Sequence, residues 1–364
     1  MPFRHLLFFL LILGLSPAAW AQQPRVFPPP APAPADTVSD PNAQRFANPS
    51  VLGMGPSKGL IVRYERMPRF NVSSTAKVDG LNDFSTDATK NARLSIKGYI
   101  PAWNRPHLKM VVGVSYEREE FQFASRPANY ELYDNIENKG LKSLATQLVV
   151  LRPVDEVHWY LLRVKGELSG DYTSDELSRS DYLRYSAEGI YGWKRSPRFS
   201  WGLGFQYGYT FGRLSLYPAL LYNRTFNDRW GVEALFPARV TLRYNASPNS
   251  IFYTGYSVEG LSYIIRLRTP LVRSGQPDKV ALNSLELRET EVRFRLRWER
   301  ELLSFLWLGA EAGYRYNYAF DAFDRINADR EKIIDSHLGS IPYASLELFI
   351  TPPRKLLEKS GVRR

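Results

Sequence analysis

The chain has 364 residues with a formal net charge of +11, is 44% hydrophobic and 14% aromatic, and contains no cysteine and only four histidines. Zero Cys excludes a disulfide scaffold, thiolate metal sites, a cysteine nucleophile and a lipid anchor on an N-terminal cysteine, and four His supply a metal or catalytic centre poorly. No apolar run approaches the roughly 20 residues of a spanning helix, which excludes a helical membrane protein.

The N-terminus reads as an address. Arg4 and His5 precede the apolar stretch Leu6 to Leu15, and small residues at Ala19 and Ala21 flank Trp20. Basic start, apolar middle and A-x-A end form an export signal. Residues 1–21 are therefore expected to be a signal peptide cleaved after Ala21. Residues 22–55 are dense in Pro and lack apolar periodicity, so they are expected to be a disordered periplasmic tether.

From Leu60 onward the dominant period is two, as in strands with one apolar and one polar face. Tyr160, Leu162 and Val164 alternate with Arg163, Lys165 and Glu167. Between Glu233 and Tyr244, Ala234, Phe236, Ala238, Val240 and Leu242 oppose Glu233, Arg239, Thr241 and Arg243. The clearest stretch is 291–300, where Val292, Phe294, Leu296 and Trp298 oppose Glu291, Arg293, Arg295, Arg297 and Glu299. Expected strands run approximately over 60–72, 91–101, 109–124, 141–152, 157–169, 183–194, 199–211, 214–226, 230–245, 250–268, 285–301, 304–320 and 340–351. Many exceed the roughly 9–11 residues that a tilted barrel strand needs to cross a bilayer. Trp103, Trp159, Tyr160, Trp193, Trp201, Trp230, Trp298, Trp307 and Tyr318 fall near strand ends and are expected in interfacial girdles. The expected fold is all-β: a closed antiparallel transmembrane β-barrel over residues 56–351, followed by a basic tail, 352–364. A soluble β-protein would also alternate, but the export signal and the charged second face favour the membrane.

Thirteen strands conflict with the even number of a single-chain bacterial barrel. Short and long connections alternate up to residue 198 and again after 268, but out of phase with each other. The fault thus lies between about 199 and 268. Merging 199–226 into one bent strand makes twelve, the preferred count; splitting 250–268 at Glu259-Gly260 makes fourteen, the alternative.

The stretches Leu216–Asn223, Phe226–Arg239 and Gly255–Gly260 with Ser262-Tyr263 resemble an uncharacterised family of outer-membrane β-barrels, a domain of unknown function frequent in Bacteroidetes-type bacteria. The resemblance covers most of 60–350. It implies an outer-membrane barrel and no established activity.

Chemistry is sparse. Asp335-Ser336-His337 is the one local cluster with the residue types of a hydrolytic triad, and it is placed in an outer loop, where adjacent residues rarely converge. The chain is expected not to be an enzyme and to need no cofactor. The notable constellation is the charged face. Arg93, Lys97, Arg163, Lys165, Glu167, Arg239, Arg243, Glu291, Arg293, Arg295, Arg297, Glu299, Glu311 and Arg315 are expected to face the lumen, with Arg63, Glu65, Glu117, Glu119 and Glu233 beside them. They would either line a water-filled pore for small solutes or form an ion-pair network filling a non-conducting interaction barrel. Expected partners are outer-membrane lipid, lipopolysaccharide and the barrel assembly machinery; the compartment and the absence of a binding fold exclude nucleic acid.

Overall fold

The computed structural model describes residues 46–352, apart from 80, 127–130, 177–179, 273–279 and 328–329. The expected signal peptide, residues 22–45 of the tether and residues 353–364 of the tail lie outside the described residues.

Sixteen strands and one helix follow in order: β1 Leu60–Met67, β2 Phe70–Ala76, β3 Phe84–Arg105, β4 Leu108–Phe123, α1 Glu131–Lys139, β5 Leu141–Pro153, β6 His158–Gly170, β7 Leu183–Ser196, β8 Phe199–Gly208, β9 Ser215–Thr225, β10 Trp230–Phe236, β11 Arg239–Ser247, β12 Ser250–Leu271, β13 Leu282–Leu303, β14 Leu306–Asp324, β15 Lys332–Leu338 and β16 Ile341–Ile350. From β3 to β14 each strand pairs antiparallel with the next. β1 pairs with β3 on one side and with β16 on the other, and β16 pairs with β14, so the sheet closes. β2 and β15 make the same closure further along. β1 and β2 are thus one wall strand interrupted at Pro68-Arg69, and β15 and β16 another, interrupted at Gly339-Ser340. The ring has fourteen strands.

Fourteen corrects the preferred twelve, and the fourteenth strand does not come from splitting 250–268. Residues 199–226 are two strands, and β12 runs unbroken through Glu259-Gly260. The additional turn is at Phe236-Pro237-Ala238, inside the segment that alternation presents as one strand over 230–245. There Leu235 pairs with Arg239. Because three residues intervene, both partners keep the same parity, and the alternation passes through the hairpin without a break. Counted this way, connections at one end are two to four residues long throughout. This is the turn end, where residues 60 and 350 also meet. The other, the loop end, carries α1.

Strands also run further toward the loop end than alternation indicates. β12 and β13 each span 22 residues. Ser262 to Ile265 and Ser284 to Arg288 lose the in-out pattern because both faces are covered there. Inside lies the main core, where Phe121, Leu285, Leu287, Phe320, Ile334 and Tyr343 meet Leu132, Tyr133 and Ile136 of α1. Along its free edge β12 pairs with the end of β6, where Asp171 N donates to Ile264 O at 3.1 Å and Ser169 Oγ to Ser262 O at 2.8 Å, and Tyr172 and Tyr182 cover the outward Ile264. Behind that contact β8 to β11 are only 7–11 residues long, so the wall is low along this arc.

Lower down, alternation is strict. β16 is buried at every odd position and exposed at every even one. Val292, Phe294, Leu296 and Trp298 point out, and Arg293, Arg295 and Arg297 point in. Trp159 and Trp307, expected in a girdle, are buried inside instead. Both sit at odd, inward positions of their strands, in phase with Arg163 and Glu311. Trp159 lies over Gly192, where a Cβ would stand 2.0 Å from its ring.

Candidate functional site

The lumen of the ring is the candidate site, and its contents change along its length. At the loop end the core closes around α1. Acidic Glu131 and Asp134 open this helix and Lys139 ends it, the order that the helix dipole favours. Gly140 stops it at φ +69°, a left-handed conformation that glycine adopts without strain, with its N–H bonded to Ile136 O at 2.9 Å. Alternation marks only the strands on either side, so the sequence reading leaves this helix inside a long loop. Its side chains serve the free edge of β12. Glu131 accepts from Arg268 N at 2.6 Å and Thr269 N at 3.1 Å, Asn135 donates to Arg266 O at 2.6 Å, and Lys139 Nζ lies 3.3 Å from Asp171. Tyr133 OH meets Ser74 and Ser336 inside the barrel.

Below α1 a buried ionic network crosses the lumen. Arg93 of β3 contacts Glu119 of β4 at 2.7 Å and Glu291 of β13 at 3.4 Å. Arg315 of β14 lies 2.9 Å from Glu291 and 3.7 Å from Glu119. Arg293 joins Glu65 at 2.9 Å and Glu291 at 2.7 Å. Further toward the turn end, Arg297 binds Glu299 at 2.8 Å, Glu311 at 3.4 Å and Glu347. Arg295 is 3.9 Å from Glu311, and Arg63 is 2.7 Å from it. Charges taken from water are tolerated only when paired in this way.

The opposite side of the lumen is wet. Lys97 with Glu117, Lys165 with Glu167, and Arg163 with Glu188 keep 36%, 35% and 38% of the basic side chain exposed. Arg239 is exposed although it faces inward, where its electrostatic neighbours are Arg163 of β6, Glu188 of β7, Glu233 of β10 and Arg295 of β13. An accessible space therefore lies beside Arg239 on this side of the lumen.

At the turn end, residues 46–59 form a strap against the barrel. Ala47 N bonds Asp155 O at 2.9 Å, Leu52 N bonds Pro197 O at 3.0 Å, Asn223 Nδ2 donates to Pro49 O at 2.8 Å, and Lys58 Nζ lies 2.6 Å from Glu299 and 2.8 Å from Glu347. Arg243 is fully buried between Glu233 at 3.5 Å, Thr225 at 2.9 Å and the carbonyl of Leu52. Residues 46–55 of the expected tether thus pack against the turn end, where the carbonyls of Pro49 and Leu52 accept from Asn223, Thr225 and Arg243.

By cross-strand register, the charged residues expected in the lumen share the sheet face that carries the Arg93–Glu119 and Arg315–Glu291 contacts. Glu188, Glu259, Glu289 and Glu347 also face inward, beyond the expected set. The parity of β7, β12, β13 and β16 is the signal that marks them. Lys58 precedes β1 and carries no periodic signal. The Asp335-Ser336-His337 cluster lies on β15 and not in a loop. Ser336 is buried against Ser74, His337 is exposed on the opposite face, and Asp335 pairs with Lys332 at 3.3 Å. Adjacent strand residues point apart, so the three do not converge.

A family profile described as a domain of unknown function, DUF6268, matches residues 121–324. No curated protein sequence matches the chain. Among solved structures, a Pseudomonas aeruginosa FadL homologue is similar at 10% identity and TM-score 0.41, over 80% of this chain and 89% of that one. The deltaS2 mutant of the TodX monoaromatic hydrocarbon channel is similar at 9% identity and TM-score 0.38, over 84% and 93%. The Pseudomonas putida toluene transporter TodX follows at 7% identity and TM-score 0.37, over 85% and 93%.

Proposed function

We propose that this chain, which belongs to the DUF6268 family, is a channel-like barrel of the outer membrane with a water-holding lumen that α1 closes at its outer end. The observation that carries this is the inverted polarity of the ring. Phe205, Leu216, Phe294, Leu296 and Leu346 are each more than half exposed on the outside, while Arg93, Glu119, Glu291, Arg293 and Arg315 are buried inside. Water as the outer solvent would disfavour that arrangement, whereas hydrocarbon favours it. The export signal expected over residues 1–21 supports the same compartment, with the turn end and the strap in the periplasm. The solvent reaching Arg239 supports a lumen able to hold small polar solutes.

A second reading is favoured by the network across the lumen: a non-conducting barrel that anchors a partner through its loops. Planar-bilayer recordings separate the two. Wild-type protein should show rare or small conductance steps. Replacing residues 131–139 by a Gly/Ser linker of equal length should give frequent, larger steps. A folded linker variant that stays silent overturns the channel reading and leaves the anchoring one.

A further inference from the structure

A second polar site lies between the outward face of the inward-leaning ends of β12 and β13 and the inward face of β7. It is a cleft of about 560 Å³ at the loop end, lined by Arg184, Arg213, Arg288, Arg325 and Arg330 against only two carboxylates, Asp181 and Glu286. Its floor is built rather than merely charged. Glu286, nearly buried, accepts from Arg288 Nη2 at 2.8 Å, from Arg184 Nη1 at 3.3 Å and from Ser262 Oγ at 2.8 Å. The two guanidinium groups are also backed by rings: Arg184 lies 4.9 Å from the centre of Tyr209 and bonds its hydroxyl at 3.0 Å, and Arg288 lies 4.0 Å from the centre of Phe323.

Glu286 thereby fixes both arginines without satisfying them. Arg184 keeps only 10% of its side chain exposed, and among the described residues its Nε and Nη2 have no acceptor; Arg288 Nε has none either. Buried donors without acceptors are costly, and planar guanidinium forks match tetrahedral oxyanions. At the rim, Arg213 and Arg330 have no carboxylate partner among the described residues, and Arg325 donates to the Asp181 carbonyl oxygen at 2.9 Å while its distance to the Asp181 carboxylate is 3.9 Å. The excess of positive charge therefore faces the opening.

We propose that this cleft binds a phosphoryl group, carried either by a small soluble molecule or by a lipid headgroup. Arg184 and Arg288 grip the phosphoryl oxygens, and Arg213, Arg325 and Arg330 attract the anion at the mouth. The volume suits a phosphate attached to a larger group better than a bare ion. The site is separate from the ionic network, since Glu286 and Arg288 lie on the face of β13 opposite Glu291 and Arg293.

The test uses the full chain in a zwitterionic detergent. Calorimetric titration with pyrophosphate probes the soluble source. Reconstitution into phosphatidylcholine vesicles with and without lipid A, followed by detergent exchange and a phosphate assay, probes the lipid source. In whichever arm the wild type binds, Arg184→Gln combined with Arg288→Gln should weaken binding at least about tenfold, as loss of a charge-assisted hydrogen bond implies. Arg224→Gln, on an exposed position near the turn end, should leave it unchanged. Should the buried pair fail to fold, Arg213→Gln with Arg330→Gln at the exposed rim should weaken binding in the same arm. Binding of pyrophosphate assigns a soluble ligand, and retention of lipid A alone assigns a headgroup. No binding in either arm, or equal loss in the Arg224→Gln control, overturns the proposal.

Discussion

Arg315 Nη1 lies 2.9 Å from Glu291 Oε1, and neither side chain is exposed. The same carboxylate also holds Arg293 and Arg93. Three cations from three strands share one anion, so Glu291 is where the two sides of the dry half of the lumen are tied together.

Glu291→Gln removes that anion and leaves three buried guanidinium groups short of charge. Breaking a buried pair by removing one partner costs about 3–5 kcal/mol. Thermal or denaturant unfolding of the purified barrel should register a loss of that order. Glu259→Gln, at a carboxylate 38% exposed to lumen water, should cost less than about 1 kcal/mol. Equal melting of the two variants would show that the network does not hold the ring.

The outward and inward faces of β13 predict opposite responses to charge. Leu296 is 58% exposed on the outside, so Leu296→Arg should place a cation in hydrocarbon at a cost of about 2–4 kcal/mol near the bilayer midplane. Arg295→Gln, inside, should assemble normally. The measurement is the folded fraction recovered in vesicles; equal recovery of both variants would remove the assignment of faces and the membrane reading with it.

Trp159 fills space that Gly192 leaves free. Gly192→Val should displace the indole, break its 3.2 Å bond to Ser200 Oγ and destabilise by about 1–3 kcal/mol through overpacking. Gly98→Ala is the control, because a methyl group at Gly98 would meet no atom within 4 Å. A wild-type melting curve and unchanged tryptophan emission for Gly192→Val would contradict the packing described.

Asp155, in a periplasmic turn on our reading, accepts from Val157 N at 2.7 Å, His158 N at 2.6 Å and the His158 ring at 2.7 Å. The hydrogen bonds of His158, followed by that of Val157, pull its carboxyl down to about 2. A depressed carboxylate contributes its turn-holding effect above the ordinary aspartate value of about 3.9 and loses it as pH falls through about 2. Carboxyl carbon shifts followed by NMR should titrate near the lower value; a midpoint near the ordinary one would disprove the cap.

Local chemistry made the barrel legible. Period-two alternation marked Val292 to Glu299 and the run around Arg163 because hydrocarbon outside and water or ion pairs inside demand opposite residues at successive positions. The absence of long apolar helices with an export-like start pointed to strands as the spanning elements. Alternation reports parity and nothing else. It could not reveal the Phe236-Pro237-Ala238 hairpin, since Leu235 and Arg239 keep one parity across it, and it fell silent in β12 and β13 where both faces are covered. Which arginine meets which glutamate, the seating of α1 on the β12 edge, the packing of residues 46–59 and the cleft around Glu286 depend on strands far apart in the chain. Arg93 and Glu119 face each other on β3 and β4, and Glu291 and Arg315 are neighbours on β13 and β14; only closure of the fourteen-strand ring brings the two pairs within bonding distance, and no local pattern encodes a distance across a lumen.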